Sequence, residues 1–320
     1  MTDSPTQHDY IECTNAAIDF IVRHLDGELN LEALAEVAGF SPFHFHRVFK
    51  SLVGETLNQF VKRQRLERSL FMMSHSPELS LTEICLACGF SSSSDFSRSF
   101  KTRYGTAPSE FDVSKFRDSR RKEFEEAIAG HEQGYALKRL PPGANPDGFK
   151  AKIRDLPART VAYIRALNPY QSNTVVDTSR QLVRWAEARG LANGQWLGYM
   201  WDDPEIVALA DCRYDTAVVV DESQFKIQAA GEIGRFVFPA MTVAEVTIAG
   251  DIQLEQRAID WLYGTWLPQS GYVPDDQPAF EAWSGQPFEH GDEHFELSCQ
   301  LPIQRLAGPG RKPSKLRGTQ

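Results

Sequence analysis

The 320-residue chain has no apolar run approaching a membrane span, for which about 18 residues are needed. Its start carries Asp3, Asp9, Glu12, Asp19, Asp26 and Glu28 where a secretory leader would place basic residues and then an apolar stretch. No membrane partner is therefore expected. Cysteine is scarce: five residues, odd in number and scattered, exclude a disulfide framework and point to a reducing, cytoplasmic setting. There is no glycine-rich phosphate loop, no GxSxG and no HExxH. Cys85-x-x-Cys88 has no second pair at zinc spacing, and His44-x-His46 on a helix would point about 200° apart. His290 and His294 flank a Gly-Asp-Glu turn without a third ligand. Neither a metal nor a cofactor is expected, and the two cysteines read as small apolar packing.

What is present is ordinary globular material, 42% hydrophobic and 24% charged, which excludes collagen-like, coiled-coil and disordered chains. The length suits two domains. Net charge is −9, but it is unevenly spread: −7 over residues 1–40, +6 over residues 41–122 and −8 beyond. One basic stretch in an acidic chain can still attract phosphate, because screening confines each charge to about 8 Å at physiological salt.

The basic stretch contains a repeat. Leu31 to Ser41 (LEALAEVAGFS) recurs as Leu81 to Ser91 (LTEICLACGFS), and Phe45, Arg47, Phe49, Lys50 and Gly54 recur as Phe96, Arg98, Phe100, Lys101 and Gly105. Each copy reads as a short helix, a Gly-Phe-Ser turn and a second helix, which is a helix-turn-helix. Ser80 with Glu83 forms a capping box, Asn30 caps the earlier helix, and Ser41-Pro42 suits a helix start. A leading helix is expected over 8–25 and a long helix over 56–74 between the copies. In such a motif the second helix enters the major groove and its first turns meet base edges. Phe43, His46 and Arg47 share its outward face, with Phe45 and Phe49 inward. Phe43 suits thymine methyls and Arg47 the bidentate guanine contact. Ser93, Ser94 and Arg98 occupy the corresponding face of the second copy and favour shape and phosphate contacts.

Residues 8–117 resemble the DNA-binding domain of the AraC/XylS family, carried by Ala38-Gly39-Phe40-Ser41, His44 to Lys50, Gly54-Glu55, Arg65-Leu66-Glu67, Gly89-Phe90-Ser91, Phe96 to Phe100 and Pro108-Ser109. The pattern departs from the family's at Asp112, where a basic residue is usual, and in placing this unit first. The resemblance implies two recognition helices in successive major grooves of double-stranded DNA, about 34 Å apart.

After a charged helix over 114–128, the Pro/Gly-rich run Leu140 to Gly148 reads as a linker, so residues 118–150 connect two domains. Beyond it, strands are expected at 160–164 and 215–220 around a helix at 178–188. The order then returns, offset by 82 to 83 residues: Thr242-Val-Ala244, a helix over 254–266, and strands at 280–283 and 295–302. Two tandem strand-helix-strand-strand units pair into one α+β domain with a cleft at the pseudo-twofold axis. Alternation sets Tyr199 with Trp201 on one face, and Glu281 with Trp283 on one face. An aromatic wall with a carboxylate suits a cationic or amphipathic ligand. Residues 151–306 resemble the GyrI-like effector-binding domain at Cys212 to Asp215, Thr265 to Tyr272, Phe280-Glu281 and Leu301 to Ile303. That resemblance implies a small-molecule pocket between the repeats, with Glu281 and Glu296 as its acidic positions, and Trp283 standing where many members have Tyr. Residues 307–320 read as a disordered tail.

The expectation is a multidomain regulator: an all-α double helix-turn-helix unit that binds DNA, and an α+β GyrI-like domain whose small-molecule effector biases DNA binding or contacts with RNA polymerase. Two alternatives stand beside it. One is a hydrolase with Glu281 as general base; the other is a second domain that docks a protein partner.

Overall fold

The computed structural model of the chain describes residues 7–129, 141, 143–171, 173–221 and 233–305. The first part is helical: α1 (Gln7–Arg23), α2 (Leu31–Val37), α3 (Pro42–Val53), α4 (Leu57–His75), α5 (Leu81–Ala87), α6 (Ser93–Tyr104) and α7 (Val113–Ala129). Polar caps set the starts. Asn30 Oδ1 accepts from the Ala33 amide, Ser41 Oγ from the His44 amide, and Thr56/Gln59 and Ser80/Glu83 form capping boxes. In each repeat the inward phenylalanines pack edge to face, Phe45 on Phe49 and Phe96 on Phe100, both with centroids 5.6 Å apart. Cys85 and Cys88 are buried in the second of these cores, and burial pushes the Cys88 thiol up to about 12.

The second part contains β1 (Lys152–Leu156), β2 (Arg159–Leu167), α8 (Thr174–Glu187), β3 (Trp196–Met200), β4 (Arg213–Val219), β5 (Gly234–Phe238), β6 (Met241–Gly250), α9 (Ile252–Trp261), α10 (Leu267–Ser270), β7 (Tyr272–Pro274), β8 (Phe280–Trp283) and β9 (Phe295–Arg305). All pairings are antiparallel, in the order β1-β6-β9-β8-β3-β4-β2-β5, with β7 on β9. The two strand-helix-strand-strand units meet at β3 and β8, where Gly198 lies opposite Glu281. Each unit lends its leading strand to the other: β1 precedes β2 but pairs with β6, and β5 precedes β6 but pairs with β2.

Several expected elements shift. The helix at 178–188 begins at Thr174, and the helix at 254–266 is α9 followed by a π-helical turn over Leu262–Trp266. Strands β1 and β5 were not legible, because Lys152–Leu156 is almost wholly exposed and Gly234–Phe238 is short. The connecting stretch over 118–150 is anchored to the second domain at both ends. Arg121 of α7 pairs with Asp260 at 2.8 Å, Asp147 holds Arg257 at 2.8 Å, and the Phe149 ring lies 5.9 Å from Trp261. The tail at 307–320 lies outside the described residues.

Helices α8 and α9 cover one sheet face, over a core that includes Leu182, Trp196, Trp261 and Trp283. The opposite face carries Tyr163, Tyr199, Phe236, Phe238 and Phe280. Helix α1 docks on that side: Tyr163 Oη donates to Asp19 at 2.6 Å, and Arg165 pairs with Asp19 at 2.8 Å and with Asp215 at 2.7 Å.

Gly39 and Gly89 hold equivalent places in the two repeats, with φ +71 and +80. Around Gly39 a Cβ would meet nothing within 4 Å, whereas at Gly89 it would sit 2.2 Å from the Leu25 carbonyl oxygen. That carbonyl is held in place by Arg65 Nε at 2.9 Å. Gly39→Ala is expected to cost about 1 kcal/mol from backbone strain alone, and Gly89→Ala about 3 kcal/mol or more because backbone must also move. Urea denaturation of both variants checks this; equal losses would contradict it.

Candidate functional site

The two helices of the repeat expose different chemistry. On α3, Phe43 is 74% exposed and Arg47 stands beside it, its guanidinium carbon 5.8 Å from the ring centroid. His46 is half-buried. On α6, Ser93, Ser94 and Arg98 are exposed. The cap of α6 is Ser92, which accepts from the Asp95 amide, so neither Ser93 nor Ser94 serves that purpose. Much of the basic charge counted in the sequence is committed inside the protein. Arg63 pairs with Glu55 and Glu67, Arg65 donates to the carbonyls of Leu25 and Gly27, and Arg68 pairs with Asp276. Asp112 also has an internal role, accepting from the Lys115 amide at the start of α7.

The five residues named for the effector do not form one group. Tyr199 and Trp201 belong to the sheet face that carries Phe238 and Phe280, with ring centroids 5.9 Å apart. Trp283 belongs to the helix-covered face, packed on Phe288 and Phe295. Glu281 shares that face by alternation, and it accepts a hydrogen bond from Tyr214 Oη. Gly198 makes this bond possible: a Cβ there would meet Tyr214 Oη at 1.9 Å and Glu281 Oε2 at 2.5 Å. Glu255 of α9, which the sequence did not single out, hydrogen-bonds the Glu281 carboxyl, and burial raises both above the ordinary carboxylate range. Glu296 stands elsewhere, half-exposed on the outer face of β9 and 3.7 Å from His294. Strand alternation along β9 turns its side chain away from Glu281.

A cavity of about 820 Å³ opens where the helical unit meets the sheet domain. Tyr199, Trp201 and Glu281 line it, and Trp283 and Glu296 do not. The helical unit supplies the facing wall, mainly from α4 and α7, including Glu67, Phe71, His75 and Phe124. No sequence pattern announced this wall, because α4 reads as a spacer between the repeats. Contacts cross the boundary here: Arg117 pairs with Asp203 at 3.5 Å and with Glu205, Arg121 pairs with Glu205 at 3.0 Å, and Arg213 of the sheet domain donates to Gln64 Oε1 at 3.0 Å. Among the described residues no group of three or more His, Cys, Asp or Glu could hold a metal ion.

Comparison with known proteins decides what this pairing of units is. Residues 34–113 match the model of a helix-turn-helix domain, and residues 149–304 that of the GyrI-like small molecule binding domain. The probable transcription factor PqrA of Proteus vulgaris is 32% identical over 83 residues, 26% of this chain and 67% of its own length. The chain belongs to the AraC family. The probable transcriptional regulator LumQ of Photobacterium leiognathi is 32% identical over 93 residues, 29% of this chain but only 37% of its own length. Over 86% of this chain and 99% of the other, the fold is similar to that of EcmrR in a complex with DNA, at 12% identity and a TM-score of 0.42. The chain carries an AraC-type helix-turn-helix domain and a GyrI-like small-molecule-binding domain. No described helix is long and apolar enough to cross a membrane.

His75 carries a pH signature of the interface. Burial, with the nearby Arg117, pushes its imidazole down to about 4, while the Phe71 carbonyl and Glu205 oppose this. The Tyr263 ring lies 5.5 Å away on the sheet-domain side. The unfolded chain gains a proton at about pH 6.5 that the folded chain refuses until about pH 4. His75 therefore lowers stability progressively as pH falls through that window and has no such effect above it. Discounted for partial exposure, the loss is about 2 kcal/mol. Urea denaturation at pH 7.5 and 4.5 is expected to show this extra loss in wild type and not in His75→Gln.

Proposed function

We propose that this regulator reads DNA through the outward faces of α3 and α6, with Phe43, His46 and Arg47 discriminating bases and Ser93, Ser94 and Arg98 holding register on phosphates. The observation that carries this reading is the exposure of Arg47 and Arg98 at matching positions of the repeat, while the basic residues of α4 are spent on internal partners. Phe43 supports it, since it is 74% exposed beside an arginine and belongs to neither helical core among the described residues.

The second domain takes a small organic effector, cationic or amphipathic, in the cavity lined by Tyr199, Trp201 and Glu281. Its occupancy biases DNA binding or the regulator's contacts with RNA polymerase. Binding is favoured over turnover by the geometry at Glu281: its carboxyl already accepts a hydrogen bond from Tyr214 Oη and is committed inside the protein.

Arg47→Ala is expected to weaken binding to the regulator's own site by about 1 to 3 kcal/mol and to relax preference at one base pair. Selection of sites from a random duplex pool, followed by titration of wild type and variant, measures both. Unchanged affinity together with unchanged preference would remove α3 from the interface.

A further inference from the structure

We propose that the cavity is a ligand chamber shared by the two domains, in which Phe71 and His75 of the DNA-binding unit touch an apolar, aromatic monocation directly. This rests on the effector reading above and names where the same ligand meets the DNA-binding half. The small-molecule domain matched by similarity begins at residue 149, so a contact from α4 lies outside it.

Four observations converge. First, about 820 Å³ is a ligand-sized volume, and its walls come from both domains. Second, an aromatic row crosses the domain boundary: Phe71 stacks on His75 with centroids 4.3 Å apart, and His75 meets Tyr263 edge-on at 5.5 Å. Tyr263 sits in the π-helical turn over Leu262–Trp266, a distortion frequent at functional sites. Third, Tyr199 lines the chamber, the residue is 1% exposed, and its hydroxyl has no hydrogen-bond partner among the described residues. A buried hydroxyl without a partner is costly unless something else supplies one. Fourth, of the guanidinium groups that line the chamber, Arg68, Arg117 and Arg121 are paired with carboxylates and Arg23 donates to the Asp19 carbonyl and lies over the Phe236 ring, whereas the lining carboxyls of Asp275 and Glu281 have no guanidinium partner among the described residues. Rings and unmatched carboxyls favour a cation over an anion, and a neutral His75 does not oppose it.

The placement gives ligand and DNA a common element. Helix α4 joins the two helix-turn-helix units, so a molecule seated on Phe71 and His75 senses the geometry that sets the distance between α3 and α6. A second connection runs through Trp201, which lines the chamber and donates from Nε1 to Asp215 at 3.1 Å; Asp215 is tied through Arg165 to Asp19 on α1. Coupling of this kind is reciprocal: a ligand that shifts DNA affinity is itself shifted by DNA to the same extent.

Tetraphenylphosphonium and tetraphenylborate, nearly identical in shape and opposite in charge, separate the contributions when titrated calorimetrically into the full-length chain. The phosphonium is expected to bind at least tenfold more tightly than the borate. Phe71→Ala is expected to weaken phosphonium binding at least tenfold, and the milder Phe71→Leu and His75→Gln at least threefold each, so the test survives if the alanine variant fails to fold. Circular dichroism confirms the fold of each variant. Should Glu281→Gln weaken phosphonium binding while all three α4 variants stay within twofold of wild type, the site lies wholly inside the second domain: the shared chamber is overturned and the effector reading stands. Borate bound as tightly as phosphonium overturns the cation assignment. Failure of both ions to bind overturns the chamber and the reading beneath it together.

Discussion

The structure depends on one buried cation. The side chain of Arg165, on β2 of the sheet domain, is 2% exposed and lies between Asp19 of the helical unit and Asp215 of the neighbouring strand. A guanidinium out of water is tolerable only with its hydrogen bonds filled and its charge matched. Both carboxylates are required here, and one of them belongs to the other domain. Removing α1 from the sheet would strand Arg165 with one partner and leave Tyr163 Oη without its acceptor on Asp19. Such pairs add little net stability over an apolar contact, but breaking them is expensive. The arrangement therefore fixes where the domains meet more than how tightly. Salt bridges from Arg117 and Arg121 repeat the same logic at the far side of the interface, around Glu205 and Asp260.

The apolar contribution to the interface is unequal between the two repeats. Ile206, Val207 and Cys212 of the sheet domain are part of the core formed by Phe90, Phe96 and Phe100, so the second helix-turn-helix and the segment around 201–212 share one packed interior. The first helix-turn-helix has its own core, built from α1 to α4. It meets the sheet domain through α1. Packed interiors move as units because they deform little. The second unit is therefore tied to the sheet domain through shared packing, and the first through α1.

The sequence disclosed what depends on local pattern. The double helix-turn-helix was legible from a repeat in which Phe45 and Phe49 answer Phe96 and Phe100, and caps at Asn30, Ser41, Thr56 and Ser80 agree with it because an N-cap is a local hydrogen bond. The pairing of two strand-helix-strand-strand units was legible from element order. The exchanged strands β1 and β5 were not, since each pairs with the unit that does not contain it and a partner more than seventy residues away leaves no local trace. The candidate site was only half legible. Strand alternation correctly put Tyr199 with Trp201 and Glu281 with Trp283, but alternation within a strand does not say which face of another strand matches it. Register does: Gly198 opposite Glu281 puts Tyr199 opposite Phe280, so the two named pairs stand on opposite sides of the sheet. Glu255 and the α4 wall were invisible because both enter through tertiary packing.

Gly198 shows why the pseudo-twofold axis carries chemistry. Two related strands meeting there bring like positions together, which would ordinarily crowd side chain on side chain. Here one strand contributes no side chain at all, and the space is taken by Tyr214 Oη reaching Glu281. A large side chain in place of Gly198 would turn the axis into ordinary core. Its absence leaves a carboxyl that accepts from Tyr214 Oη in the wall of a chamber, raised above the ordinary carboxylate range by burial. A symmetric scaffold thus becomes asymmetric at its axis, and the same chamber is walled by α4, the helix that joins the two helix-turn-helix units.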